Sequence, residues 1–140
     1  MKKLSFIFLA LALLVMLAAD SAYGQIGGVT LKGDIPFAFT VVDKTVPAGT
    51  YALKEVLHSV LVMMSTDNRE NVVFFTNGVE AKGNQEVEPK LVFRRYGDQY
   101  FLAQIWTGGT RLGRELPKSA KERLVAQNQP EPQLIYIAAK

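Results

Sequence analysis

The chain has 140 residues and no cysteine. That absence excludes disulfides, Cys-based zinc sites and a thiol nucleophile. Histidine is nearly absent too. His58 stands alone, which rules out a His-rich metal centre. Neither sign of charge dominates: 16 Lys and Arg face 13 Asp and Glu, for a net charge of +3. Such a balance gives no argument for nucleic-acid binding. Long hydrophobic runs are confined to one place, the N-terminus. What is plentiful is apolar surface. At 49% apolar residues the chain can build a core, and its length suits one domain.

The N-terminal run reads as an address. Lys2 and Lys3 form a basic start, and Leu4 to Ala19 is apolar apart from Ser5. Asp20 and Ser21 end the run, and Ala22-Tyr23-Gly24 places small residues where a signal peptidase cleaves. The expectation is a secretory signal over 1–24 and a single β-rich domain over 25–140, exported to the periplasm or the exterior. The rival is an uncleaved anchor, but the run falls short of the ~20 residues of a spanning helix. No membrane span is therefore expected after cleavage. Removing the signal takes away Lys2, Lys3 and Asp20 and leaves 14 basic and 12 acidic side chains.

The rest of the chain alternates like strands. Ile35, Phe37, Phe39 and Val41 share one face of a predicted strand. Asp43-Lys44 and Val46-Pro47-Ala48-Gly49 read as turns. Thr50 to Val56 predicts a strand with Tyr51 and Leu53 inward. Val60 to Met64 is apolar throughout, as in a strand covered on both faces. His58-Ser59, Asp67–Asn71 and Asn77-Gly78 read as turns, and Lys82–Pro89 as a surface loop. Leu91–Tyr96 and Gln99–Trp106 flank Gly97-Asp98, which suits a type II′ hairpin. That turn sets Tyr96 opposite Gln99, Arg95 opposite Tyr100, Arg94 opposite Phe101 and Phe93 opposite Leu102. Continued without interruption, it groups Gln104 with Leu91 and Phe93, and Ile105 with Val92 and Arg94. One helix is predicted over Pro117–Gln127, with Leu116, Ala120 and Leu124 as its packing face. Leu134–Ala138 is a closing strand. The predicted fold is mainly β: a single antiparallel β-barrel or sandwich of seven to eight short strands, with one helix in the C-terminal half.

Several segments, taken in order, resemble a known family. They are Ile35-Pro36-Phe37 with Phe39, Val46-Pro47-Ala48-Gly49-Thr50-Tyr51, Leu91-Val92-Phe93, Arg95-Tyr96-Gly97-Asp98-Gln99-Tyr100-Phe101-Leu102, Ile105-Trp106 and Gly113-Arg114-Glu115-Leu116-Pro117-Lys118-Ser119. Together they resemble a family of small exported proteins numerous in acidobacteria. The resemblance implies export and a shared fold. The family has no assigned activity, so it implies no catalytic residue.

No nucleophile motif surrounds His58, which reads as a turn residue. Ser119 lies between Lys118 and Lys121 on a predicted solvated helix face. Glu80, Glu86 and Glu88 supply carboxylates, but in a polar loop and without calcium-loop spacing. Gly108–Arg114 is glycine-rich and basic, yet lacks the Gly-Lys-Ser/Thr ending of a phosphate loop. No catalytic residue, metal site or cofactor is predicted. Arg94, Arg95, Tyr96, Tyr100 and Trp106 interleave cations with aromatics and form the candidate ligand or partner site. Across the hairpin, Arg95 and Tyr100 are positioned for a cation–π contact. Arg114 and Glu115 are read as a structural pair tethering the helix to the sheet.

Three function classes follow. The first is a non-enzymatic envelope protein that binds or assembles. The second is a carrier of a small apolar ligand, since strands, helix and closing strand follow the order of lipocalin-type barrels. The third is a small hydrolase using carboxylates. Either an unidentified protein or a small apolar molecule is the expected partner. A carrier requires an apolar cavity of at least ~300 Å³, for which Phe37, Phe39, Met63, Met64, Phe74, Phe75 and Phe93 are the candidate lining. An assembly protein requires a filled core and an exposed apolar patch or open sheet edge.

Overall fold

The computed structural model describes residues 30–140 apart from Pro130. The expected signal segment therefore lies outside the described residues. Among the described residues the chain forms eleven strands and one helix: β1 (Thr30–Ile35), β2 (Phe39–Val41), β3 (Lys44–Val46), β4 (Gly49–Leu57), β5 (Val60–Ser65), β6 (Asn71–Phe75), β7 (Asn77–Glu80), β8 (Lys90–Tyr96), β9 (Gln99–Trp106), β10 (Leu112–Glu115), α1 (Ala120–Asn128) and β11 (Gln133–Ala138). One sheet has the order β1-β4-β5-β6 and the other β11-β8-β9-β10-β7, with the β2–β3 hairpin beside β9. The sheets do not close into a barrel, so of the two predicted architectures the molecule adopts the sandwich.

Several links join the sheets, and two lie in the backbone at their margins. Lys32 and Lys140 exchange backbone hydrogen bonds of 2.8 and 2.9 Å, stitching β1 to the chain end that follows β11. Thr76 carries the chain directly from β6 in one sheet to β7 in the other. Asn77-Gly78 is thus not a turn. It opens β7, which pairs with β10. Pro36 explains another departure. Its missing N–H interrupts the predicted Ile35–Val41 strand, which becomes the end of β1 and all of β2. The inward face survives the break, because Ile35, Phe39 and Val41 are all buried. The turn predicted at Asp43-Lys44 falls one residue earlier, with Val42 at φ 58°.

The space between the sheets is filled around an aromatic cluster. The Phe39 ring meets Phe93 edge-on at 5.3 Å and Tyr51 at 5.2 Å. Met63 and Phe74 are buried in the same core. Phe39, Met63, Phe74 and Phe93 are therefore packing residues and line no cavity. Phe75 departs furthest from the candidate lining, being 75% exposed on the outer face of β6. β5 alternates rather than hiding both faces: Leu61 and Met63 are buried, and Val60, Val62 and Met64 are half-buried.

The hairpin β8–β9 follows the predicted register from Tyr96–Gln99 to Phe93–Leu102. Gly97 has φ +59°, as the first residue of a type II′ turn requires. Beyond Leu102 the register shifts, because Val92 pairs with Gln104 and leaves Ala103 as an extra residue. This bulge turns Ile105 into the core and Gln104 out, the reverse of an uninterrupted hairpin. A second bulge in β4 inserts Val56 between the pairs Glu55–Leu61 and Leu57–Val60.

The helix starts later than predicted. Pro117 lies before the cap, and Ser119 is the N-cap, its Oγ accepting from Glu122 N at 3.2 Å. Its packing face also differs. Ala120 and Leu124 are exposed, whereas Glu122 is 2% exposed. The cause lies on the sheet beneath, where Arg94 projects outward and needs an anion.

Candidate functional site

The five candidate residues of the hairpin do not converge. Arg94 and Tyr96 face the helix. Glu122 accepts from Arg94 Nε at 2.5 Å and Nη2 at 3.0 Å, and from the Tyr96 hydroxyl at 3.0 Å. Arg94 also donates to the Leu116 carbonyl at 3.2 Å. This closed network satisfies a buried charge pair, and it is what fastens the helix. Arg95 and Tyr100 lie on the opposite face in the expected cation–π contact, 5.4 Å from guanidinium carbon to ring centre. Tyr100 stacks on Phe37 at 3.8 Å. Trp106 is buried, donates from Nε1 to Gln104 at 3.1 Å and lies against Gly113, where an added Cβ would come within 2.6 Å of the indole. Nor do Arg114 and Glu115 pair with each other. As strand neighbours they point to opposite faces. Glu115 accepts from Gln104 at 3.4 Å, and Arg114 binds Glu55. The tether expected of that pair is made by Arg94 and Glu122.

Burial drives the Tyr96 hydroxyl up to about 12, and its bond to Glu122 acts in the same direction. A phenol whose folded value is raised favours the fold fully below its unfolded value near 10. That contribution is lost as the pH climbs through 12. Stability is therefore expected to fall between about pH 10 and 12. Tyr96→Phe is expected to flatten that part of a pH–melting profile, and an unchanged slope would contradict the assignment.

Where the two sheets diverge, a cleft of about 590 Å³ opens. Leu31, Leu53, Leu61 and Ile105 form its buried apolar floor, and Val79 and Leu112 stand on the side of the second sheet. His58, Ser59, Thr107 and Thr110 supply polar groups around it. Both bulges shape this space. The one in β9 brings Ile105 inward, and Arg114 lies directly across from Ile105 and from Gly78. Register thus aims Arg114 into the cleft, opposite Gly78. An added Cβ on Gly78 would meet no atom within 4 Å.

Arg114 is the polar centre of the cleft. Its Nη2 donates to Glu55 Oε1 at 2.7 Å, with the two side chains 19% and 35% exposed. A guanidinium carries five N–H donors in a rigid fork. Among the described residues this single contact leaves the others without an acceptor, and the unbonded Nε and Nη1 are not sealed from solvent. Glu80 also lines the cleft but is engaged by Arg111 at 3.2 Å.

The remaining sequence candidates are placed as follows. His58 and Ser59 form the β4–β5 turn, as expected, and no hydrogen bond joins their side chains. Ser119 caps the helix. Glu86 and Glu88 are exposed in the loop after β7. Gly108 and Gly109 both take positive φ in the β9–β10 connection, and Gly108 passes so close to Pro89 that a Cβ would sit 2.5 Å from its ring. Among the described residues no group of three or more His, Cys, Asp or Glu is placed to hold a metal. No described helix is long and apolar enough to cross a membrane. Comparison with known proteins found no matching family model, no matching curated protein and no matching solved structure. The cleft therefore carries the functional argument on its own chemistry.

Proposed function

We infer that the protein is a non-enzymatic binding module of the cell envelope. Its ligand is a small amphipathic molecule, with an apolar body held between the sheets and a hydrogen-bond-accepting head at Arg114. The observation that carries this reading is the cleft itself, which pairs an apolar floor with one arginine whose donors are mostly unspent. Its size falls in the 300–1,000 Å³ range of small-molecule sites. A carboxylate head suits a planar guanidinium, which binds it bidentately. Decanoate is a suitable probe of this class. Calorimetric titration is expected to show one saturable site. Arg114→Leu is expected to weaken decanoate by about tenfold or more while leaving the uncharged decanol little changed. Equal loss for both probes would contradict the assigned role of the head group.

This reading keeps the lipocalin-like carrier in a modified form. The ligand occupies a cleft at the margin of the sandwich rather than a hollow lined by Phe39, Met63 and Phe93. A carboxylate hydrolase is less well supported, because Glu55 and Glu80 are each held by an arginine. The envelope location rests on the N-terminal Lys2-Lys3, the apolar run and Ala22-Tyr23-Gly24, together with the resemblance to small exported acidobacterial proteins. Intact-mass analysis of protein recovered from the periplasm or medium is expected to place Gln25 first. A mass that retains residues 1–24 would contradict cleavage.

A further inference from the structure

β6 is the last strand of its sheet, and among the described residues only β5 pairs with it. The hydrogen bonds at its two ends fix which groups remain. At one end Glu70 O accepts from Ser65 N, and at the other Thr76 N donates to Ser59 O. Even-numbered residues therefore bond toward β5, and residues 71, 73 and 75 turn their N–H and C=O groups outward. Asn71 confirms the alternation, because its carbonyl accepts from Lys44 Nζ on the outer side at 3.3 Å. Val73 and Phe75 are left with open backbone groups.

Edge strands are ordinarily blunted by charge or proline. Residues 71 to 79 contain neither. The outer face is apolar as well. Val73 is 63% exposed, Phe75 75% and Leu57 68%, with half-buried Val60 and Val62 paired across to Phe75 and Val73. These side chains leave roughly 350 Å² of apolar surface open, the size of the largest patch on an ordinary monomer, which is often functional.

We propose that this edge pairs with the same edge of a second copy, antiparallel about a two-fold axis at Phe74. In that register Val73 of each copy lies opposite Phe75 of the other. The two pairs exchange four backbone hydrogen bonds, and the apolar stripes merge on one face. A second copy is the occupant that the charges favour. The strand is uncharged, so self-pairing meets no repulsion. The antiparallel arrangement also turns the end carrying the Arg69–Asp67 pair toward the end carrying the Arg111–Glu80 pair of the other copy, so neither end brings an unbalanced charge. Edge pairing buries the open backbone groups and the facing Val73 and Phe75 side chains and leaves Leu57 on the outer face uncovered, so the contact is smaller than a standard specific interface and association in the micromolar range or weaker is expected. No β6 residue lines the cleft, so this inference is independent of the ligand reading.

Sedimentation of the purified protein from about 1 μM to 1 mM tests it. A concentration-dependent monomer–dimer equilibrium is expected. Val73→Lys and Phe75→Glu are each expected to weaken it at least tenfold, because each places a charge against an apolar side chain. Both sites are exposed, so both variants are expected to melt with the wild type. Mixing the two variants sets the new lysine opposite the new glutamate and is expected to restore a heterodimer. A wild-type protein that stays monomeric would overturn the proposal. So would a dimer that neither substitution affects, or variants that fail to recover on mixing. A dimer recovered only in the mixture of opposite charges would establish both the surface and the register.

Discussion

Phe93→Ala is expected to destabilise the protein by about 3–5 kcal/mol. Phe93 is completely buried and sits at the centre of the aromatic cluster, edge-on to Phe37 at 5.1 Å and to Phe39 at 5.3 Å. Truncation removes the transfer free energy of the ring and leaves a cavity between two sheets that cannot close on it. Pro36 on one side and the β8–β9 hairpin on the other limit relaxation. Total stabilities of small domains are only about 5–15 kcal/mol, so this single change consumes a large part of the margin. The midpoint of urea unfolding, at unchanged slope, is the measurement. A loss below about 1.5 kcal/mol would mean that the site collapses freely and that the core is less rigid than described.

Glu122→Ala is expected to cost a similar amount, about 3–5 kcal/mol, for a different reason. The substitution leaves Arg94, whose side chain is 12% exposed, without its carboxylate. It also strips the Tyr96 hydroxyl of its acceptor. Desolvation of an unpaired guanidinium dominates the cost, not loss of the Coulombic attraction. The double change Arg94→Met with Glu122→Leu removes both charges and is expected to recover most of the stability. If the double variant is no better than Glu122→Ala, the network contributes by its geometry rather than by charge compensation. Of the helix's apolar side chains only Val125 and Ala126 are even half-buried, and Leu124 projects into solvent. The other observed anchors are exposed contacts of Lys121 with Asp43 and Thr45 on the β2–β3 hairpin.

These two residues also mark what the sequence makes legible. Phe93 was readable as an inward residue, because Gly97-Asp98 fixes the hairpin turn and the turn fixes the register up to Phe93–Leu102. The mainly β character, the single late helix and the closing strand were readable from period-two alternation and the position of the helical pattern. Glu122 was not readable. Helix periodicity ranks residues by their own hydrophobicity, and Leu124 looked like the anchor. The deciding fact was Arg94 on another element, a tertiary partner that no local pattern contains. Bulges are hidden for the same reason. The extra residues Val56 and Ala103 are defined only against the strands they oppose.

The cleft was the least legible feature. None of Arg94, Arg95, Tyr96, Tyr100 or Trp106 lines it. The sequence points to Arg114, but with the adjacent Glu115 as its partner instead of Glu55, 59 positions away. Strand alternation could have separated Arg114 from Glu115, since neighbours on a strand face opposite ways. No sequence signal pointed to Gly78, which read as a turn residue and proves to be the open position beside Arg114.

Gly78 gives the most direct test of the ligand reading. Its Cβ direction is open and shares the cleft face with Arg114, so Gly78→Leu is expected to place its side chain in the cleft. The measurement is a calorimetric titration of decanoate into the wild type and Gly78→Leu, with melting curves for both. Saturable binding by the wild type, lost in a Gly78→Leu protein that melts at the same temperature, is the expected result. Absence of binding to the wild type, or binding that survives a filled cleft, would contradict the account.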